Sequence, residues 1–463
     1  MTRDLTEGKP LKLILSFAAP LMFGVLFQQL YNFADTAIVG RYLGAEKLAA
    51  VGATGSVNFL VIGMCLGLCS GFAIPVSQSF GAHDEREVRR NVFHAIVLSA
   101  VLAVIFAAAA TLLCRPLLRL MNTPEEIIDD SAAYIRIIFA AIPCCILYNM
   151  SGGILRALGD SRTPVLFLVM ASLINIALDL FLILVVKMDV AGAAVATAVS
   201  QLLSGIGCVI VMIRRFPILR MTREDRRFSV SRARWMLGMG LPMGLQFSIT
   251  AIGSVVVQWS VNGLGVNAVA AISAATKLNL FFACVFDALS TTLATYVGQN
   301  VGARKLDRVN QGLKAATVIG ILYSLCAFAA VLLFARPLLG LFINSDAASE
   351  VADMGARYLT ICVAFHILLL FVQTVRMSIQ GMGFTRSAMF AGVFEMVARV
   401  IVALVLVPRL GFTGACLSNP AAWIAADLFL FPCYFHCIRV LRMRLMPGPG
   451  EAQPRLRLHR KSA

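Results

Sequence analysis

The sequence predicts an all-α integral membrane protein, with twelve transmembrane helices arranged as two pseudo-symmetric six-helix lobes. Of the 463 residues, 59% are hydrophobic and 14% are charged, and the mean hydropathy is +0.84. A soluble protein of this composition would have too little polar surface to face water. The apolar runs are also much longer than barrel strands, so the membrane spans must be helices, which satisfy every backbone hydrogen bond internally.

Hydropathy predicts spans at residues 13–40, 48–80, 90–114, 130–156, 164–187, 191–214, 235–262, 268–298, 312–335, 352–378, 386–408 and 413–438. These divide the chain into an N-lobe at 1–214 (spans 1–6), a linker at 215–234, a C-lobe at 235–438 (spans 7–12) and a tail at 439–463. The halves repeat: an offset of 221 residues aligns Gly44 with Gly265, and an offset of 224 aligns Gly159 with Gly383. Because each half has an even number of spans, the two should be related by an axis along the membrane normal.

The distribution of basic residues predicts the orientation. If the N-terminus is cytoplasmic, the inner segments hold roughly 29 lysines and arginines and the outer segments about 8. Both termini should then face the cytoplasm. The basic residues that produce the net charge of +16 are thereby explained as a signal of membrane topology, and they can also contact anionic lipid. No nucleic-acid partner is expected. The twelve cysteines lie mostly in apolar runs without metal-ligand spacing, so no cofactor and no resident metal are predicted.

Span 1 carries an acid, Asp35, inside a stretch long enough to cross the bilayer. An ionisable side chain at that depth is costly and must face protein or a water-filled cavity, which indicates a site for a proton or a metal cation. The alternative is an aspartate near the helix end that reaches the headgroups. Pro20 interrupts the backbone hydrogen bonds near the start of the same span.

Spans 5 and 6 offer partners for this acid. Asn175 and Asp179 are four residues apart on one face of span 5, and Thr197 of span 6 lies in the same layer. At about 1.5 Å per residue, the two aspartates should lie within about 5 Å of each other in depth. Two adjacent carboxylates can share a proton, and the oxygens together can coordinate Na⁺. Asn149 of span 4 is a further candidate, on the cytoplasmic side of this layer. The alternative for the whole set is an interhelical hydrogen-bond cluster with only a structural role.

The C-lobe offers candidates for a substrate cavity. Glu395 and Arg399 of span 11 are four residues apart, which suits an intrahelical salt bridge and equally a substrate contact. The other candidates are Gln246 of span 7 and three residues of span 8, namely Lys277, Phe282 and Asp287. An unpaired acid would attract a cationic substrate, and a phenylalanine ring would stack on it, although phenylalanines in membrane helices also serve as plain packing contacts.

Four segments carry a family resemblance: FQQLYNFADTAIVGRYLGAEKLAAVG (27–52), QSFGAHDEREVRRN (78–91), GILRALGDSRTP (153–164) and GFTGACLSNPAAWIAAD (411–427). They resemble the multidrug and toxic compound extrusion (MATE) exporters, and within them the bacterial branch related to staphylococcal multidrug exporters. The resemblance implies an antiporter of the bacterial inner membrane that expels small cationic amphipathic compounds against H⁺ or Na⁺, and we expect it to act as a monomer. It also implies that Asp35, Asn175, Asp179 and Thr197 couple the cation and that span 1 bends at Pro20 when the site changes protonation.

Two other functions are considered. A lipid-linked oligosaccharide flippase of the same superfamily would have more spans and a basic cavity for anionic phosphate. A membrane enzyme would need a nucleophile or metal motif, and neither HExxH nor GxSxG occurs in the sequence. We therefore expect a transporter that works by alternating access, and no enzyme.

Overall fold

The computed structural model describes residues 3–121, 123–340 and 348–445, and within them the chain forms helices and turns without strands. Ten helices are long and apolar enough to cross a membrane: Pro10–Tyr42, Glu46–Gly81, Glu85–Leu120, Arg162–Val185, Val190–Arg215, Val230–Asn262, Val266–Gly302, Leu306–Gly340, Thr385–Leu410 and Ser418–Leu445. Two bent pairs, Glu125–Ala140 with Ile142–Ala157 and Ser349–Ala364 with His366–Gly381, form spans 4 and 10. The prediction of an all-α protein with twelve spans is confirmed.

The helices are longer than the apolar runs that predicted them. Span 3, predicted at 90–114, forms Glu85–Leu120, and its first turn is capped by the carboxylate of Asp84, which accepts a hydrogen bond from the backbone N–H of Glu87. Span 12 continues to Leu445, past the predicted end at residue 438. Hydropathy marks only the part of a helix that meets lipid, whereas polar and charged residues continue the helix into the interface. Residues 446–463 of the predicted tail lie outside the described residues.

Spans 4 and 10 bend at equivalent positions of the repeat. Span 4 bends by 43° at Ala141 and span 10 by 49° at Phe365, which are 224 residues apart. In span 4, Pro143 follows the break, and proline cannot donate a backbone hydrogen bond to the preceding turn. Each half also widens to a π-helical turn in its fifth span, at Phe181–Val185 and Val402–Leu406. The bends were not predicted from hydropathy.

Aligned glycines of the two halves adopt the same backbone conformation. Gly44 and Gly265 have φ of 91° and 97°, and Gly159 and Gly383 have φ of 89° and 95°. Positive φ of this kind is strained for residues with a Cβ, so glycine is required at these turns. The sequence repeat therefore corresponds to a repeat of backbone structure.

The first helix of each half contributes to the core of the other half. Ile14 and Phe17 of span 1 are buried in a hydrophobic core made with spans 8, 9, 10 and 12. Ala233 and Met236 of span 7 are buried in a core made with spans 2, 3, 4 and 6. The domain boundary predicted at residue 214 stays a prediction, because spans 1 and 7 each pack into the hydrophobic core on the other side of that boundary.

Two short segments, residues 3–9 and the linker at 215–234, hold the helices together at one end of the bundle. We call this end the linker end. Residues 3–9 precede span 1 and dock on the turn between spans 8 and 9: the backbone N–H of Leu5 donates to Oε1 of Gln299 at 2.9 Å, and Nζ of Lys305 donates to the carbonyl of Thr6 at 3.1 Å. The linker precedes span 7 and docks on the turn between spans 2 and 3. There, Arg89 pairs with Asp225 at 2.8 Å.

Spans 2 and 7 approach each other closely in the half of the bundle nearer the linker end. A Cβ on Gly67 or Gly71 would lie 2.5 Å from backbone atoms of Met243 or Gly240. At the end of span 2, a Cβ on Gly81 would lie 1.9 Å from the carbonyl oxygen of Gln299. Close backbone contact of this kind maximises dispersion contacts in a membrane, where the hydrophobic effect does not drive helices together. The two halves are thus closed against each other at the linker end.

We expect Gly81→Ala to weaken this closed junction, because its added methyl group overlaps the Gln299 carbonyl and overpacking costs about 1–3 kcal/mol. The measurement is thermal unfolding of the purified protein in detergent, with a melting temperature several degrees lower for the variant. Gly52→Ala is the matched control, since nothing lies within 4 Å of its added Cβ. Equal melting temperatures for the two variants would contradict the tight junction.

We expect Asp225→Asn to release the linker. Burial alone would raise the pKa of Asp225, but hydrogen bonds from Thr222 and the Arg89 guanidinium outweigh it and hold the pKa below its usual value. A lowered pKa in the folded state means that the stabilisation is present above the unfolded pKa and is lost as the pH falls through the folded value. At neutral pH the variant should be cut faster by trypsin in the arginine-rich linker. The control is Glu224→Gln, which removes an exposed ion pair with Arg86; trypsin should cut this variant at the same rate as the unchanged protein.

Candidate ion and substrate sites

The structure brings Asp35 of span 1 and Asp179 of span 5 together. Their carboxyl groups lie within hydrogen-bonding reach of each other. Asp179 is fully buried, and Asp35 is partly buried. Spans 1 and 5 pack closely because Gly24 leaves room for Val165, whose Cγ2 would lie 3.0 Å from a Cβ at that position. Asp179 therefore lies in the protein interior, and Asp35 lies at the edge of it.

Asn175 and Thr197 lie beside each other, with Nδ2 of Asn175 donating to Oγ1 of Thr197 at 3.4 Å. Four buried oxygens, namely Oδ1 of Asp35, Oδ1 of Asn175 and both carboxylate oxygens of Asp179, have no hydrogen-bond partner within the described part of the chain. Buried oxygens of this kind ordinarily find a donor or a cation. The arrangement can therefore hold a proton between the carboxyls or a cation among the oxygens.

Tyr134 of span 4 was not among the predicted residues. It is buried and close enough to both carboxyls to interact with them electrostatically. Tyrosine in an apolar run is usually a packing residue, so its sequence context gave no functional signal. The aligned tyrosine of the second half, Tyr358, is also buried, and its hydroxyl accepts a hydrogen bond from Nδ2 of Asn419 at 3.1 Å.

Asn149 lies nearer the linker end than the acidic pair, and a bend at Pro20 on a change of protonation stays a prediction. Nδ2 of Asn149 donates to the carbonyl of Cys145 at 2.8 Å, and the side chain lines a cavity nearer the linker end, away from the contacts that Asp35 and Asp179 make in the described residues. Span 1 is a continuous helix from Pro10 to Tyr42 with Pro20 inside it. In this state the span is unbroken at the proline.

The C-lobe holds a buried ion-pair network. Glu395 pairs with Arg376 of span 10 and, at 3.8 Å, with Arg399 four residues further along span 11. Gln246 of span 7 forms a separate contact, in which its Oε1 accepts a hydrogen bond from Nε2 of Gln380 at 2.8 Å. The predicted spacing of Glu395 and Arg399 thus appears as an ion pair, with Arg376 as a second partner that sequence analysis missed.

Asp427 of span 12 completes the charge balance of this network. It is buried, neither of its carboxylate oxygens has a hydrogen-bond partner in the described residues, and it interacts electrostatically with Arg376. Two formal positive charges, on Arg376 and Arg399, therefore face two formal negative charges, on Glu395 and Asp427. An acid within a long apolar run was the signal that would have identified Asp427.

The three candidates of span 8 are not brought together. Asp287 accepts a hydrogen bond from Nε2 of Gln373 at 3.0 Å, and Lys277 is exposed. Phe282 packs against the cluster formed by spans 8, 9 and 10, and its carbonyl accepts a hydrogen bond from the Tyr323 hydroxyl at 2.9 Å.

A cavity of about 210 Å³ lies between the halves, nearer the linker end than the Asp35–Asp179 pair. Its wall combines spans 1, 2, 4, 5, 7, 8 and 10, and among its described lining residues Arg156 is the one charged side chain. None of the six C-lobe candidates is among those lining residues. Sequence analysis missed Arg156 because it lies in the last turn of span 4, where an arginine ordinarily marks the interface.

Comparisons with known proteins agree with this architecture. The MatE family model matches residues 20–181 and 242–405, which is more than half of the chain and one match in each half. The chain belongs to the MatE family. It is therefore a multi-pass membrane transporter, and the resemblance to MATE exporters noted from the four sequence segments is confirmed.

Individual relatives of this MATE protein cover most of its length. "Probable multidrug resistance protein YoeA" of Bacillus subtilis is 26% identical over 90% of this chain and 92% of that protein. A relative from Shewanella oneidensis named "FAD transporter" is 25% identical over 72% of this chain and 74% of that protein. A solved structure titled "Crystal structure of MATE in complex with MaL6" aligns with a TM-score of 0.89 at 25% identity, covering 95% of this chain and 98% of that chain.

We expect Glu395→Gln to destabilise the MATE protein strongly, by about 3–5 kcal/mol, because it leaves Arg376 and Arg399 buried without their shared acid. The double variant Arg376→Met/Glu395→Met keeps the formal charge balanced and should recover most of the loss. Thermal unfolding in detergent measures both. Asp307→Asn, which breaks an exposed pair with Arg442, is the control and should change little. A Glu395→Gln protein as stable as the control would contradict the structural role of the network.

Proposed function

We propose that this MATE protein is a cation-coupled antiporter that exports small cationic amphipathic compounds by alternating access. The observation that carries the proposal is the buried Asp35–Asp179 pair, whose oxygens lack hydrogen-bond donors from the described residues. A permanent ionised pair without counter-charge is strongly unfavourable in a low-dielectric interior. The pair is therefore suited to take up and release an ion, H⁺ or Na⁺, as the protein changes conformation.

The packing of the two halves supports alternating access. They meet through spans 2 and 7 and through residues 3–9 and the linker, all on the linker-end side of the bundle. The eight arginines at 214–234 favour a cytoplasmic location of that end. The described state is then closed toward the cytoplasm. Opening it would require spans 1 and 7 to leave the cores that they share with the opposite halves.

Coupling requires that the ion and the substrate favour different states of the protein. Span 1 is the natural element for this, since it carries Asp35 at one end and packs into the core of the C-lobe at the other. Ion binding at Asp35 changes the charge on a helix that belongs to both halves. By linkage, an ion that favours one state must change the affinity for substrate by the same factor with which substrate changes the affinity for the ion.

A lipid-linked oligosaccharide flippase of the same superfamily is not favoured. The twelve spans fit the exporters, and the relative named as a multidrug resistance protein covers 90% of the chain. We propose that the substrates are drugs or similar toxic compounds, and that the protein acts as a monomer in the bacterial inner membrane, with both termini in the cytoplasm.

We expect Asp35→Asn to reduce gradient-driven export at least about tenfold, because the amide cannot exchange the ion, and Asp179→Asn to act in the same direction. The measurement is efflux of the cationic dye rhodamine 123 in proteoliposomes, with a pH gradient and a sodium gradient imposed separately. Asp129→Asn, which removes an exposed acid paired with Arg115, is the control and should transport normally. Normal export by Asp35→Asn would remove this residue from the mechanism.

A further inference from the structure

Arg156 has no counter-ion in the part of the chain that the structure describes. It is partly buried at the end of span 4, and no described carboxylate forms an ion pair with it. The acid nearest in sequence, Asp160, is already engaged: its Oδ1 accepts hydrogen bonds from the backbone N–H groups of Arg162 and Thr163, both at 3.0 Å. A guanidinium removed from bulk water without an anion is costly, so this position calls for one.

The closed junction prevents a simple escape of this side chain to the interface. The carbonyl of Ala157, the next residue, accepts a hydrogen bond from Nε2 of Gln299 across the junction at 2.9 Å. Beyond it, a Cβ on Gly159 would lie 2.0 Å from the backbone of Arg3, which covers the turn after span 4. Arg156 therefore lies beneath the clamp formed by residues 3–9 and lines the cavity between the halves.

The other walls of this cavity fit an amphipathic molecule. Gln28, Ser70 and Asn149 are polar lining residues, whereas Val25, Leu168 and Met243 are apolar. Guanidinium presents a planar fork of N–H donors that matches the two oxygens of a carboxylate or the oxygens of a phosphate. The volume of about 210 Å³ is enough for an anionic group and an attached ring.

We propose that this cavity binds the carboxylate or phosphate group of a transported amphipathic molecule, with Arg156 as its ion-pair partner. The inference rests on the proposed function and narrows it: molecules that carry both a cationic ring system and an anionic group are preferred over purely cationic ones. The anionic group would face Arg156, and the ring system would lie against the apolar lining residues of the cavity.

The test uses two fluorescent dyes with the same ring system. Rhodamine 110 carries a free carboxylate, and rhodamine 123 is its methyl ester. Binding to the full-length protein in phosphatidylcholine nanodiscs is followed by fluorescence anisotropy. We expect Arg156→Gln to weaken binding of rhodamine 110 about tenfold, the usual effect of losing a charge-assisted hydrogen bond, and to leave that of rhodamine 123 within about twofold. Arg156→Lys should recover part of the affinity for rhodamine 110.

The control is Arg136→Gln, an exposed arginine on the same span, which should bind both dyes like the unchanged protein. Equal effects of Arg156→Gln on both dyes, or no effect on either, would overturn the proposal, as would failure of the unchanged protein to bind rhodamine 110. Displacement of rhodamine 110 by phosphatidylglycerol in the nanodiscs would assign the site to a lipid headgroup and overturn it as well. Failure of the proposed function is seen separately, as the absence of gradient-driven rhodamine 123 efflux from proteoliposomes.

Discussion

A charge buried in a low-dielectric interior must be neutralised, and this constraint accounts for the sites of the molecule. Three charged groups within the described spans meet it in different ways. In the C-lobe, Arg376 and Arg399 are balanced by Glu395 and Asp427, so the network is complete within the protein. In the N-lobe, two acids adjoin each other, and no cationic side chain of the described residues pairs with them. In the cavity between the halves, Arg156 has no acidic partner among the described residues. These two sites lack opposite charges, and we propose an exchangeable cation for the first and the anionic group of a substrate for the second.

The repeat explains how the two halves are attached to each other. Each half sends its first helix into the core of the other, and each is held by the segment that precedes that helix. These contacts lie at the linker end, where glycines allow backbone atoms of spans 2 and 7 to touch. Packing of this kind is either formed or broken, since close-packed interfaces do not deform continuously. A rearrangement of spans 1 and 7 would therefore act as a switch between two states.

The equivalent positions of the two halves have diverged chemically. At the offset of 224, Asn175 of the N-lobe corresponds to Arg399 of the C-lobe, so the position that holds an amide beside Asp179 in one half holds a cation beside Glu395 in the other. The same framework thus leaves one half open to an incoming ion and completes the other with its own side chains. The acids differ as well: at the same offset Asp179 corresponds to Ala403, and Glu395 corresponds to Ala171.

By itself, the sequence determined the helical class, the twelve spans, the repeat and the most informative acid, Asp35. Hydropathy and residue spacing act locally along the chain, so a membrane span, a glycine turn or a pair such as Glu395 and Arg399 can be recognised from a short window. Only the tertiary structure decided which helix faces meet. Arg376 joining Glu395, Arg156 remaining without an acid and the exchange of spans 1 and 7 depend on contacts between segments far apart in the chain. Such contacts are set by the packing of whole helices, and no local pattern encodes them.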